Sequence, residues 1–185
     1  MPHIRIIGLG GSLKPGSASV QALGEALRGA EEAGASVELL ELHALDLPMF
    51  VPDSEPTPQV RRFVEEVASA AGLIWSSPVY HGSMSGAFKN AIDWLELLSK
   101  HEPPYLTDKV VGLIATAGGV QGLQAINAME FAVRSLRGFT YPMTAPLDRA
   151  WQLFDKSGKF SDEATLTKLR TLGKGVADAA KRLSR

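Results

Sequence analysis

Short apolar runs alternate along this chain with segments whose apolar residues recur at helical spacing, and few folds accommodate that alternation. A strand buried on both faces reads as a continuous apolar run. Helices covering both faces of a parallel sheet supply the amphipathic stripes between such runs. The pattern predicts strands at His3 to Leu9, Ser36 to Leu42, Gly72 to Ser77, Val110 to Thr116 and Phe139 to Ala145. It predicts helices at Ser17 to Ala33, Pro58 to Ala71, Ser85 to Lys100, Leu123 to Leu136 and Asp162 to Ser184. The last of these carries Leu166, Leu169, Leu172, Val176, Ala180 and Leu183 on one stripe, which should close a face of the sheet. With 185 residues the chain reads as a single domain over 1–185, long enough to bury a two-sided sheet.

Composition removes several classes of function. The chain has no cysteine, which excludes disulfide frameworks, thiol catalysis and thiolate metal sites and fits a reducing compartment. Its formal net charge is -1 with both signs interspersed, so no basic stripe invites nucleic acid. No apolar run reaches membrane-spanning length, and Ile4 to Leu9 reads as a core strand rather than a signal segment. The expectation is a soluble, cytoplasmic protein with a small-molecule partner. Two Pro-rich segments interrupt the pattern, His43 to Thr57 and His101 to Thr107. The first ends in a Thr57 cap with Pro58 at the first helical position, and it reads equally as a surface connection, a lid or a subunit contact.

Three loops at predicted strand ends could carry chemistry, because open α/β sheets bind ligands at the carboxyl ends of their strands. The first, Gly10 to Ser19, joins a strand to a helix amino terminus and offers Ser12, Lys14, Ser17 and Ser19 to an anion, a terminal phosphate above all. The second, Ser77 to Gly86, supplies glycine backbone, hydroxyls and Tyr80. The third, Thr116 to Gly122, has adjacent glycines that let a flat ligand or a phosphate reach the backbone. Better-known motifs fail on these loops. A P-loop needs lysine after its last glycine, where Gly16 is followed by Ser17. A dinucleotide fingerprint starting at Gly8 and Gly10 would need glycine where Leu13 stands. A hydrolase nucleophile elbow would need serine at Met84, between Ser83 and Ser85.

Together these residues resemble the flavodoxin-like NAD(P)H-dependent FMN reductases, with their related quinone and azo-dye reductases, over nearly the whole chain. The family's Gly-Ser-x-Arg-x-x-Ser-x-Asn/Ser pattern matches Gly11, Ser12, Ser17 and Ser19, with Lys14 where Arg is commoner. Its Pro-x-Tyr-Asn-x-Ser-x-x-Gly-x-x-Lys-Asn-x-x-Asp-Trp pattern matches Pro78, Tyr80, Ser83, Gly86, Lys89, Asn90, Asp93 and Trp94. Departures fall at Val79, where Glu is frequent, and at His81, where Asn is frequent.

The resemblance implies a three-layer α/β/α sandwich with a five-stranded parallel sheet in order 2-1-3-4-5. It implies FMN phosphate on Ser12, Lys14, Ser17 and Ser19, the ring bordered by Pro78, Val79, Tyr80, His81, Gly82 and Ser83, and its other edge closed by Ala117, Gly118 and Gly119. NADPH or NADH would reduce the flavin, and a quinone, azo compound, free flavin or similar acceptor would reoxidise it. Hydride transfer of this kind needs no protein acid or base, so no catalytic residue and no metal is assigned, and His81 reads as a positioning or surface residue. Alternatives are a non-enzymatic flavodoxin-type carrier, against which the near-neutral charge speaks, and the reductase component of a two-component monooxygenase.

Other residues take plainer readings. Trp75 and Trp151 read as core or interface aromatics. Lys89 with Asp93, and Glu96 with Lys100, read as charge pairs one helical turn apart. Asn90 is left open between a cap, a contact across subunits and no role. Trp94 and Leu97 fall beyond the core stripe of their helix and, with the resemblance, suggest a homodimer or homotetramer.

Overall fold

The computed structural model describes residues 4–155 and 157–184. The predicted first strand began at His3, which lies outside the described residues. The strand itself, β1, is Arg5–Gly10. It is followed by α1 (Ala18–Glu32), β2 (Ser36–Glu41), α2 (Leu42–Leu45), α3 (Pro58–Ser69) and β3 (Gly72–Tyr80). The chain continues through β4 (Ser83–Met84), α4 (Gly86–Trp94), β5 (Val110–Thr116), α5 (Gly122–Ser135), β6 (Phe139–Thr140), β7 (Ala145–Leu147) and α6 (Glu163–Leu183).

The parallel sheet runs β2-β1-β3-β5-β6, with β7 also on β5 and β4 antiparallel to the end of β3. The expected order survives once its last strand is recognised as two pieces, but the strand count rises from five to seven. The predicted strand Phe139 to Ala145 is broken because Pro142, which has no amide hydrogen, sits in its middle. Phe139 pairs with Val110 at one end of β5, and Leu147 pairs with Thr116 at the other.

Two apolar clusters form the outer seams of the sandwich. One joins Ile7, Leu9, Trp75 and Leu113 to α3, α4 and α5. The other joins Ile6, Ile74 and Ile114 to α1 and α6 through Leu23, Leu172 and Val176. Alternate residues of one strand thus serve opposite clusters, the period-2 consequence of a sheet covered on both faces. Helix starts follow the capping chemistry: Ser17, Thr57, Ser85 and Asp162 each accept an amide hydrogen from three residues on.

Two segments differ from the sequence expectation. The His43 to Thr57 segment is not wholly irregular, since α2 occupies its start and ends at Asp46 in the left-handed region, φ 46. The predicted helix Ser85 to Lys100 tightens at Leu95 into a 3₁₀ turn. Residues four apart no longer stack there, and Glu96 accepts from the Tyr105 hydroxyl at 3.2 Å instead of pairing with Lys100. On the regular part of the helix, Lys89 and Asp93 do meet, at 2.6 Å.

Candidate functional site

The register of the sheet brings the three loops to one edge. Gly10 of β1 stands opposite Ser76 of β3, and Pro78 of β3 stands opposite Thr116 of β5, so all three strands release their loops at neighbouring carboxyl ends.

The first loop is pinned at its root. The Gly11 amide donates to the Ser76 carbonyl at 2.7 Å, and the Ser85 hydroxyl donates to the Gly11 carbonyl at 2.6 Å. A side chain at position 11 would place Cβ 2.6 Å from Phe88 Cδ2 and 3.1 Å from the Ser76 carbonyl, so only glycine fits between the loops. Beyond this root, the Ser12 hydroxyl accepts from the Lys14 amide at 3.1 Å and closes a tight turn. The Ser17 hydroxyl caps α1 through the Val20 amide at 3.4 Å, and lies 3.0 Å from the Ser19 hydroxyl. Ser12 and Ser19 are buried, Ser17 is half-buried and Lys14 is exposed. Among the described residues, Lys14 makes no salt bridge and the Ala18 and Ser19 amides have no acceptor. The loop thus gathers a free cation, hydroxyls and helix-terminal amides, the donor set an anion needs.

The second loop is a hairpin. Tyr80 pairs with Ser83, and the two residues between them, His81 at φ 51 and Gly82 at φ 77, are both left-handed. Positive φ at both central positions is the type I′ turn that suits the twist of paired strands. His81 is therefore an exposed turn residue, and it belongs to the small group of non-glycine residues, with Asn, that enter this region readily. The departure from Asn leaves the turn intact. Pro78, Val79 and Ser83 are half-buried, while Tyr80 is exposed. The base of the hairpin is locked by the Ser77 hydroxyl, which accepts from the Ser85 amide at 2.9 Å.

The third loop is held from below. The Ala117 amide donates to the Leu147 carbonyl at 2.9 Å, while Ala117 and Gly119 carbonyls accept from the amides of Ala150 and Arg149, each at 2.8 Å. Asp148 then accepts from the Gly122 amide at 2.8 Å, supplying α5 with the cap that Gln121 does not give. Ala117 is buried, whereas Gly118 and Gly119 are exposed, with nothing within 4 Å of where a side chain would project. A cavity of about 440 Å³ joins the first loop, through Ser12 and Lys14, to Tyr80 and the start of α4 at Ser85 and Gly86. The structure brings Ser12, Lys14 and Tyr80 to one cavity; Ser17, Ser19 and the other predicted hairpin residues do not line it, and the third loop stands at the next strand end outside it.

Several residues outside these loops were read differently from sequence. Trp94 is buried in its own fold, where its indole donates to the Pro48 carbonyl at 2.8 Å and its ring meets Phe50 edge-on at 5.1 Å. Leu97 is partly buried against the same cluster, so neither residue forms a free face. Asn90, left open from sequence, holds the Pro-rich segment: Nδ2 donates to the Pro48 carbonyl at 2.9 Å and Oδ1 accepts from the Phe50 amide at 2.8 Å. Trp75 is core, but Trp151 is 68% exposed and fills no core position in this chain. Lys109, whose pKa burial lowers, donates to the Ala68 and Ala70 carbonyls beside the amino end of β5, away from the loops. Among the described residues, no His, Cys, Asp and Glu cluster could hold a metal ion.

A profile of the NADPH-dependent FMN reductase family matches residues 4–152. The chain belongs to that family. The NADPH-dependent FMN reductase ArsH of Rhizobium meliloti is 35% identical over 155 residues, 84% of this chain and 63% of that protein. The NAD(P)H-dependent FMN reductase PA1204 of Pseudomonas aeruginosa is 31% identical over 168 residues, 86% of each chain. The chain spans only about half to two thirds of the length of the ArsH relatives it matches. Among solved structures, the flavoenzyme NAD(P)H:(acceptor) oxidoreductase FerB of Paracoccus denitrificans superposes with a TM-score of 0.78 at 22% identity, covering 97% of this chain and 98% of that one. An archaeal flavodoxin does so with 0.67 at 13% identity, covering 96% and 99%. The fold is flavodoxin-like, and no helix among the described residues is long and apolar enough to cross a membrane.

Proposed function

We propose that this protein is an FMN-dependent NAD(P)H oxidoreductase that passes reducing equivalents to a quinone, azo compound, free flavin or similar small acceptor. The observation that carries this reading is the meeting of the anion-binding first loop and the hairpin at one cavity, in a member of the FMN reductase family. Ser12, Lys14, Ser17 and Ser19 would hold the phosphate, with the free Ala18 and Ser19 amides adding the helix-terminal donors. Pro78, Val79, Tyr80, His81, Gly82 and Ser83 would border the ring, and Ala117, Gly118 and Gly119 would close its other edge. The exposed glycine backbone of the third loop supports this, since a flat ligand can lie against it. FMN, when bound, supplies hydride acceptance from nicotinamide and delivery of reducing equivalents to the acceptor. The chain's part is to bind, orient and leave one ring face open, and Tyr80, 59% exposed, stands where it would border that face. FAD should bind less well, because a pocket made from one short loop and one helix end has no evident room for an AMP half.

We place the protein in the cytoplasm, in keeping with its lack of cysteine. We also propose a homodimer, or a tetramer built from dimers. Its supporting surface is not Trp94 but the apolar groove of about 370 Å³ between α4 and α5, beside Phe131, which is 74% exposed. Anaerobic titration of the FMN-loaded protein with NADPH and then NADH tests the activity. Rapid bleaching of the flavin by a nucleotide alone supports the oxidoreductase, and inertness until a partner reductase is added would establish an electron carrier instead.

A further inference from the structure

A second groove, of about 400 Å³, adjoins the cavity assigned above to FMN and shares Leu13, Gly86 and Ala87 with it. Its remaining wall comes from α2 and the Pro-rich segment after it, through Leu42, Leu47 and Met49. Large apolar side chains stand open on both rims. Leu13 from the first loop is 61% exposed and Met49 is 76% exposed, so an apolar group lying between them would take surface of both out of water.

The wall carrying Met49 is fixed. Asn90 bonds both the Pro48 carbonyl and the Phe50 amide, and the Trp94 indole bonds the same carbonyl. The backbone on either side of Met49 is therefore clamped to α4, which leaves Met49 as an exposed rim residue of the groove. The same bonds engage Oδ1 and one Nδ2 hydrogen of Asn90, which reduces what its amide offers the groove. Charge narrows the occupant further. Asp46 lines the groove beside His43, and among the described residues neither Lys nor Arg does so, which disfavours phosphates and carboxylates and so the diphosphate of a nicotinamide nucleotide.

We propose that this groove is a subsite for the uncharged, apolar substituent of the electron acceptor, such as the alkyl or prenyl chain of a quinone. The proposal rests on the oxidoreductase reading, since it places the substituent beside the site where the acceptor's reacting ring would meet flavin. It makes the Pro-rich segment a specificity element, and Asn90 and Trp94 residues that position it.

The test uses FMN-loaded protein and two quinones, 2,3-dimethoxy-5-methyl-1,4-benzoquinone and its 6-decyl derivative. Met49→Glu should raise KM for the decyl quinone about tenfold, the loss of roughly two buried methylenes' worth of contact. KM for the tail-less quinone, kcat with either and the rate of flavin reduction by NADPH should be unchanged, and Met49→Leu should behave as wild type. Equal changes for both quinones, or no change for either, would overturn the subsite. So would a change in mass in solution with Met49→Glu, because a second copy of the chain would then be what covers the groove. Calorimetric binding of the decyl quinone to the same protein separates this proposal from the activity on which it rests. Binding lost in Met49→Glu supports the groove whatever the turnover, and wild-type flavin that NADPH fails to reduce overturns the oxidoreductase reading alone.

Discussion

Gly11 is where stability and the proposed cofactor binding meet, and its replacement by Ala separates two kinds of glycine in the candidate site. The new Cβ would lie 2.6 Å from Phe88 Cδ2 and 3.1 Å from both Phe88 Cγ and the Ser76 carbonyl. Carbon atoms rest about 3.5 to 4.0 Å apart, so something must move by about an ångström. Phe88 cannot readily yield, because its ring is fully buried and packs edge-on against Trp75 at 5.5 Å. The loop cannot readily yield either, since both peptide groups of Gly11 are bonded, to Ser76 and to Ser85. Overpacking of this kind costs about 1 to 3 kcal/mol, which for a domain of this size lowers Tm by roughly 2 to 12 °C. Displacing the loop should also weaken FMN, because its donors move with it.

Gly118→Ala is the matched comparison. Nothing lies within 4 Å of its projected Cβ, so the protein without flavin should melt within about 1 °C of wild type or slightly higher. A ring lying against that backbone would meet the new methyl, so FMN and riboflavin should both bind less tightly. Differential scanning calorimetry with and without flavin reads both effects. A Gly11→Ala protein with unchanged Tm and FMN affinity would refute the packing argument, and a Gly118→Ala protein that binds both flavins normally would remove the third loop from the site.

Asn90→Ala strips partners from the Phe50 amide and in part from the Pro48 carbonyl, and should cost about 1 to 3 kcal/mol with faster proteolysis in the 43–57 segment; an unchanged melt and cleavage pattern would contradict the clamp. Phe131→Asp should convert the proposed dimer to a monomer in light scattering at micromolar concentration, and an unchanged oligomeric mass would place the interface elsewhere.

Much of this fold is legible in the sequence because a strand covered on both faces carries a continuous apolar run, and β1, β3 and β5 do so over 6–9, 72–75 and 110–115. The same logic located the loops, since glycine and hydroxyl clusters stand directly after those runs. What escaped depends on contacts far apart along the chain. Asn90 and Trp94 reach Pro48 across 42 and 46 residues, and Asp148 caps α5 across 26, distances over which no local pattern speaks. Trp94 looked free because its partners, Pro48 and Phe50, come from the Pro-rich segment, which the helical period of α4 does not reveal. The left-handed turn at His81 and Gly82 was hidden because His81 stands where Asn would have announced it.

The claim on which the account depends most is that the Gly11 to Ser19 loop holds the FMN phosphate. Lys14 has no ion-pair partner among the described residues, so Lys14→Ala should leave the melt of the flavin-free protein unchanged, while Ser17→Ala should lower it through loss of the α1 cap, which is worth about 0.5 to 2 kcal/mol. Each should weaken FMN by about 1 to 3 kcal/mol, the range for hydrogen bonds to charged groups. Fluorescence titration of both variants with FMN and with riboflavin, which lacks the phosphate, is the direct measurement. The account predicts that FMN affinity falls and riboflavin affinity stays at the wild-type value; equal losses for the two flavins would show that this loop does not hold the phosphate and that the ligand lies the other way round.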